Sequence, residues 1–145
     1  MKHSDIKSVT MLGIGGAGSF FLAKYFLLFG TDVQGFDIKE SEKTKELESL
    51  GVKIQYRNPD KGEKFKSDLL IYSADLPISI QEKVFTSNPY IKKYEVGAFY
   101  HLLVKEFERK RLNKKEIDAF VKSEIAPLFN IDLNKMRYLA VTGTD

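Results

Sequence analysis

The chain has 145 residues, of which 43% are hydrophobic and 30% charged, the proportions of one folded domain with a core of its own. Lys and Arg number 23 against 20 Asp and Glu, so the electrostatic footprint of a nucleic-acid binder is absent and no nucleic-acid partner is expected. There is no cysteine, which excludes disulfides, thiolate catalysis and cysteine-type zinc sites and fits a cytoplasmic location.

The first strand is expected from about Val9, in VTMLGIG, and the glycine-rich GGAGS turns it into a helix. That helix carries the most apolar stretch, FFLAKYFLLFG from Phe20 to Gly30. A bilayer span needs about 20 apolar residues, and Lys24 interrupts this shorter run, so the segment reads as a buried helix closed by Gly30, with no membrane partner. DVQGFD reads as the second strand. SEKTKELESLG is a polar helix from Ser41 to Gly51, with Leu47 and Leu50 facing inward. VKIQY supplies a third strand and NPDKGEKFKS a surface loop. DLLIYSAD is the continuous apolar run of a central parallel strand, followed by a break at Pro77. QEKVFTS is then a short helix, YIKKYEV a short strand and AFYHLLVKEFERKR an amphipathic helix. In NKKEIDAFVKSEIAPLF, Asn113 and Glu116 have capping-box spacing and Ile117, Phe120, Val121, Ile125 and Leu128 recur at helical spacing, which predicts a further packed helix over Asn113 to Phe129. A last strand, from about Met136 to Val141, leads out of the domain. The alternation predicts an α/β fold: a Rossmann-like open parallel sheet with helices on both faces, plus an extra C-terminal helical element before the exit strand.

The chemistry concentrates in GIGGAG. Gly13, Gly15 and Gly18 have G-x-G-x-x-G spacing, with Gly16 as an additional glycine. The first permits a tight turn, the second lets a phosphate approach the backbone, and the third lets helix and strand pack closely. The helix start then offers unpaired N–H groups and the positive end of its dipole to an anion, so Gly15, Gly16, Ala17, Gly18 and Ser19 are the candidate phosphate-binding residues. Asp37 ends the second strand. It can accept hydrogen bonds from the ribose of a dinucleotide, accept from the ribose or base of another nucleotide, or stand solvated. His3 and His101 do not compose an acid–base pair with any neighbour in the sequence. Asp68 and Asp75, which bracket the fourth strand, read as structural.

GIGGAG, GFD, LESLG, DLLIYSAD and the closing LAVTGTD occur in an order that resembles the Mur ligases of peptidoglycan synthesis, most closely the branch that adds L-alanine to UDP-N-acetylmuramate. In that family VTGT plus one residue precedes Gly-Lys-Thr, completing the P-loop of a separate ATP-binding domain. The resemblance therefore implies a UDP-sugar-binding domain over residues 1–135, and over 136–145 the start of an ATP-binding domain, with Thr142, Gly143, Thr144 and Asp145 as a partial P-loop. It implies a parent enzyme that uses ATP and Mg2+ to activate the muramoyl carboxylate for attack by an amino-acid amine. This part alone would bind without catalysing, and its partners would be the UDP-amino sugar and the ATP-binding and C-terminal domains. By the same resemblance Gly15 to Ser19 meet the diphosphate, Asp37 lies near the uridine, and Ser73 and Ala74 line the same crevice. The family's arginine, which precedes a glutamate, is replaced here by Tyr94, Glu95 is not aligned with that glutamate, and Asn88 and Pro89 lie late. These departures fit a relative with another substrate, such as murein-peptide recycling. An NAD(P)-binding oxidoreductase domain and a ligand-free interaction module are the other readings of the glycine loop.

Overall fold

The computed structural model describes residues 6–109 and residue 115. His3, the helix expected over Asn113 to Phe129, the strand from Met136 to Val141 and the run Thr142 to Asp145 lie outside the described residues. Among those residues the chain forms β1 (Ser8–Leu12), α1 (Ala17–Leu28), β2 (Asp32–Phe36), α2 (Glu42–Ser49), β3 (Lys53–Gln55), β4 (Leu69–Tyr72), α3 (Ile78–Ser87), β5 (Lys92–Glu95) and α4 (Val96–Arg109). The strands lie in the order β3-β2-β1-β4-β5 and every pair is parallel. The chain winds outward from β1 through β2 to β3, then returns to place β4 on the other side of β1. The order reverses at β1 and β4, and a crevice opens beyond the carboxyl ends of those two strands.

Alternation along the strands divides the core. Val9, Met11, Val33, Leu69 and Ile71 face one side, where α1, α2 and α4 cover them. Leu12, Phe36 and Leu70 face the other, under Leu76, Val84 and Phe65 from α3 and the flanking loops. Helix α1 is buried at every residue from Gly18 to Phe26 because it is wedged between the sheet and two helices. Phe26 packs on Phe99 of α4 with ring centres 5.4 Å apart, and the Tyr100 hydroxyl donates to the Gly18 carbonyl at 2.9 Å. Lys24, the one charge in this apolar helix, is buried but ion-paired with Glu46 of α2, and its ammonium lies 4.5 Å from the centre of the Phe20 ring.

Both α1 and α2 stop at a glycine in the left-handed region, Gly30 at φ +74° and Gly51 at φ +98°. In each, the residue after the glycine donates back to the last turn, Thr31 to Phe26 and Val52 to Leu47. At the start of α2, Ser41 and Thr44 cap each other reciprocally. Three local expectations are corrected. Leu50 is 41% exposed, because it caps the helix end, and buried Thr44 takes the inward role beside Leu47. Helix α3 starts at Ile78, three residues before QEKVFTS, directly after Pro77, whose fixed φ of −54° suits a helix start. Helix α4 follows β5 without a loop, because both oxygens of Glu95 accept backbone N–H groups of the first turn, Gly97 at 2.8 Å and Ala98 at 3.2 Å.

The segment between β3 and β4 has no helix and is held by side chains. Arg57 grips Glu63 with two hydrogen bonds, 2.8 and 2.9 Å, and its guanidinium lies 5.2 Å from the centre of the Phe36 ring. The Arg57 hydrogen bond holds the Glu63 carboxyl below its ordinary range, outweighing the opposing effect of desolvation. A carboxylate depressed in the folded state contributes stability above its unfolded pKa of about 4.3 and loses it as pH falls through the folded value. Arg57→Gln is therefore expected to lower the urea midpoint at pH 7, and the gap between variant and parent should close below about pH 4. An equal gap at pH 7 and pH 3 would show that the pair has no part in acid sensitivity.

Candidate functional site

The glycine loop connects β1 to α1. Gly13 has φ +77°, and a Cβ there would stand 2.9 Å from Cβ of Ser73, so glycine is required both by the turn and by the neighbouring strand end. The amides of Gly13 and Ile14 both donate to the Phe36 carbonyl, at 2.9 and 3.1 Å, which fastens the loop to the end of β2. Gly15 is bare for a different reason. Its N–H donates to Oδ2 of Asp37 at 2.8 Å, and a Cβ would stand at the same 2.8 Å from that oxygen and 3.0 Å from Thr44. Oδ1 of Asp37 accepts the Lys39 amide at 3.1 Å. Asp37 thus organises the loop with one oxygen and its own turn with the other. Gly18, the third glycine, is buried beneath Tyr100.

The start of α1 is left uncapped. Its N-cap, Gly16, has no side chain to accept a hydrogen bond, and no acidic residue occupies the first turn. The amides of Ala17, Gly18 and Ser19 belong to that first turn, where helix geometry provides no acceptor. Ser19 is 1% exposed and its hydroxyl has no hydrogen-bond partner among the described residues. It lies 3.8 Å from the position a Gly16 Cβ would take. An anion at this helix end would meet the positive pole of the dipole and the orphan donors together.

A crevice of about 270 Å³ opens here. Gly13 and Gly16 line it from the loop, Phe36, Asp37 and Ile38 from the end of β2, and Asn58 and Pro59 from the segment after β3. Ser73, Asp75, Leu76 and Pro77 line it from the end of β4. Its size is at the small end of the roughly 300–1,000 Å³ typical of ligand pockets, enough for one moiety of a larger ligand. No Lys or Arg is among the lining residues, so an anion would depend on backbone amides and the helix end for its neutralisation.

Of the residues expected from the sequence, Gly16, Asp37 and Ser73 come together on the crevice. Gly15 and Ala17 stand half-buried beside it, while Gly18 and Ser19 are buried behind the loop. Ala74 is exposed and is not a lining residue. Asp68 and Asp75, grouped in the sequence as brackets of one strand, separate in function. Asp68 lies at the opposite end of the sheet, where Oδ2 accepts the amides of Lys7 and Ser8 and ties β4 to β1. Asp75 lies on the crevice, two residues beyond the Ser73 hydroxyl that accepts its amide. Its position three residues past the end of β4 was the available signal. Asn58 and Pro59 carried none. Arg57 donates to the Asn58 carbonyl at 3.1 Å while gripping Glu63, and farther along the segment the buried amide of Asn88 accepts from Phe65 and donates to the carbonyls of Glu63 and Val84. His101 is exposed on α4, and Glu95 serves as the α4 cap.

The model of the Mur ligase family, catalytic domain, matches residues 8–108. A UDP-N-acetylmuramate–L-alanine ligase of Campylobacter jejuni is 41% identical over 69 residues, covering 48% of this chain and 16% of the relative. The ligase of the same name from Cytophaga hutchinsonii is 33% identical over 107 residues, 68% of this chain and 23% of its own. The chain thus spans about a fifth of the length of the curated relatives it matches. Among solved structures, UDP-N-acetylmuramate–alanine ligase of Thermotoga maritima superposes with a TM-score of 0.61 at 24% identity, over 70% of this chain and 23% of that one. The precorrin-2 dehydrogenase SirC superposes at 0.51 and 13% identity over 94% and 93% of the two chains. At these identities both likenesses speak for the shared Rossmann-like sheet alone. The family match extends from the first strand through α4 and includes the glycine loop and every crevice residue, and on that match the chain belongs to the Mur ligase family.

Proposed function

We propose that the crevice binds the UDP moiety of a UDP-amino sugar, and that the chain is the sugar-anchoring part of a cytoplasmic ligase joining L-alanine to UDP-N-acetylmuramate. The observation that carries this reading is the uncapped, acid-free start of α1 with the unpartnered Ser19 hydroxyl behind it, which suits a diphosphate. The names of the relatives supply the sugar and the amino acid. In this reading the loop amides and the helix end hold the diphosphate, Asp37 keeps the loop open by bonding Gly15, and Ser73 closes the far side. The ligand is thereby oriented with its sugar carboxylate projecting from this domain. ATP with Mg2+ supplies the activation of that carboxylate. In this reading that chemistry belongs to Thr142 to Asp145 and to the domain they would begin.

Backbone amide shifts of the 145-residue chain, followed during parallel titrations with UDP and with NAD and NADP, test the proposal. UDP is expected to move Gly13 to Ser19 and Asp37 together at high-micromolar to millimolar affinity, about 4 to 6 kcal/mol, because the rest of the full ligand's contacts belong to other domains. NAD and NADP are expected to leave those amides in place. Shifts with the dinucleotides alone would replace the ligase reading with the oxidoreductase one.

A further inference from the structure

The crevice presents two carboxylates, and they are not equivalent. Asp37 has already committed each oxygen to a backbone amide, Gly15 at 2.8 Å and Lys39 at 3.1 Å. Asp75 is exposed to the crevice and contributes only its own amide to the fold, in the bond to Ser73 Oγ at 3.2 Å. Among the described residues its carboxylate has no hydrogen-bond or ion-pair partner.

A carboxylate without a donor, beside a site for an anion and with no basic residue on the lining, raises the energy of any anion that enters. Two like charges a few ångströms apart repel even in water, and more strongly where water is displaced. The cost is offset only if the ligand brings its own donor to that oxygen. A hydrogen bond to a charged acceptor is among the stronger kinds and outweighs the repulsion at the solvent-open crevice mouth.

We propose that Asp75 is a specificity-determining residue: its carboxylate accepts a hydroxyl or N–H of the nucleoside half of the ligand. It thereby selects nucleoside diphosphates over simple phosphate anions. The 270 Å³ cavity has Asp37 and Asp75 on the same lining, so the two face the same moiety. Asp37 shapes the loop that receives the phosphates, and Asp75 reads the group attached to them. This assignment rests on the reading of the crevice as a UDP site.

The test compares two ligands, UDP and inorganic pyrophosphate, on the parent chain, Asp75→Ala and Asp75→Asn, in the presence of a metal chelator so that no cation bridges the carboxylate. The Asp75 side chain is exposed and makes no hydrogen bond or ion pair among the described residues, so both variants should keep the parent's amide spectrum away from the crevice. Asp75→Ala is expected to bind UDP about tenfold more weakly, Asp75→Asn, which keeps a neutral acceptor oxygen, to lose less, and both to bind pyrophosphate about two- to fivefold more tightly. The opposite signs are the signature of an acceptor that recognises the nucleoside, because damage to the site would weaken both ligands and bare charge relief would strengthen both. Either of those same-sign results, or unchanged UDP affinity, overturns the role of Asp75 while leaving the crevice reading in place. Failure of the parent chain to bind either ligand overturns the crevice reading, and the Asp75 assignment with it.

Discussion

Gly13→Val is expected to lower the stability of the chain by about 3–5 kcal/mol and to abolish the response of the loop amides to UDP. Two separate penalties add. Gly13 has φ +77°, where a β-branched side chain is strained by about 1–3 kcal/mol. A Cβ also lands 2.9 Å from Cβ of Ser73, an atom fixed to the backbone at the end of β4, so relief requires moving a strand rather than turning a side chain. Overpacking of that kind costs about 1–3 kcal/mol more. The penalties can be separated in urea denaturation. Gly13→Asn accepts the left-handed conformation but keeps the clash. Ser73→Gly in the Gly13→Val background removes the clash but keeps the strain. Each is expected to recover part of the loss, and full recovery by either one alone would show that the other penalty is absent. The displaced loop would also pull Gly13 and Ile14 from the Phe36 carbonyl, so binding should fail even in the fraction that remains folded.

The sheet was legible because its evidence is local. VTML and LLIY are mostly apolar runs and DVQGF sets Val33 between polar neighbours, all bounded by turns, and the helices between them start and stop on residues whose conformational preferences are strong. Gly30 and Gly51 close α1 and α2 as the sequence predicts. The apolar run in α1 correctly signalled burial on all sides, though not the Glu46 partner that makes Lys24 tolerable there. Errors arose where an end depends on a side chain reaching the backbone. Glu95 starts α4 two residues early by capping it, and neither charge nor hydrophobic period announces that contact.

The crevice was half legible for the same reason. Glycine spacing and the position of Asp37 at a strand end located the loop, the helix start and the acid. What the spacing could not give is the direction in which Asp37 turns. Its carboxylate faces back to Gly15, so the second glycine is bare to admit Asp37, and the sequence motif alone suggests only the approach of a phosphate. Asp68 and Asp75 both read as structural brackets of β4, and the structure sets them at opposite ends of that strand, Asp75 on the crevice lining and Asp68 at the far edge of the sheet. The wall at Asn58 and Pro59 was read as an ordinary surface loop. Its order comes from side chains with no local period: Arg57, which bonds both Glu63 and the Asn58 carbonyl, and Asn88, which reaches across 23 and 25 residues to Phe65 and Glu63.

Asn88→Ala removes that asparagine's amide and is expected to cost about 2–4 kcal/mol, with a loss of UDP affinity out of proportion to its distance from the ligand. Asn88 is 4% exposed. Its Oδ1 accepts the Phe65 amide at 2.8 Å, and its Nδ2 donates to the carbonyls of Glu63 at 3.0 Å and Val84 at 2.9 Å. Truncation strands one donor and weakens the satisfaction of two acceptors in a partly buried setting, and each unsatisfied buried group costs about 1–3 kcal/mol. The consequence reaches the site through the chain. Glu63 is the residue that Arg57 grips, and Asn58 and Pro59 lie between them, so freeing the Glu63 backbone releases the crevice wall. Asn88→Asp keeps an acceptor for Phe65 but sets a buried carboxylate oxygen against the carbonyls of Glu63 and Val84, so at neutral pH it should cost at least as much as alanine. Hydrogen exchange gives the decisive reading: amides from Asn58 to Phe65 should lose protection in both variants, while those of β1 and α1 change only with global stability. Uniform loss across the whole sheet would mean that Asn88 supports the fold generally and has no particular hold on the crevice wall.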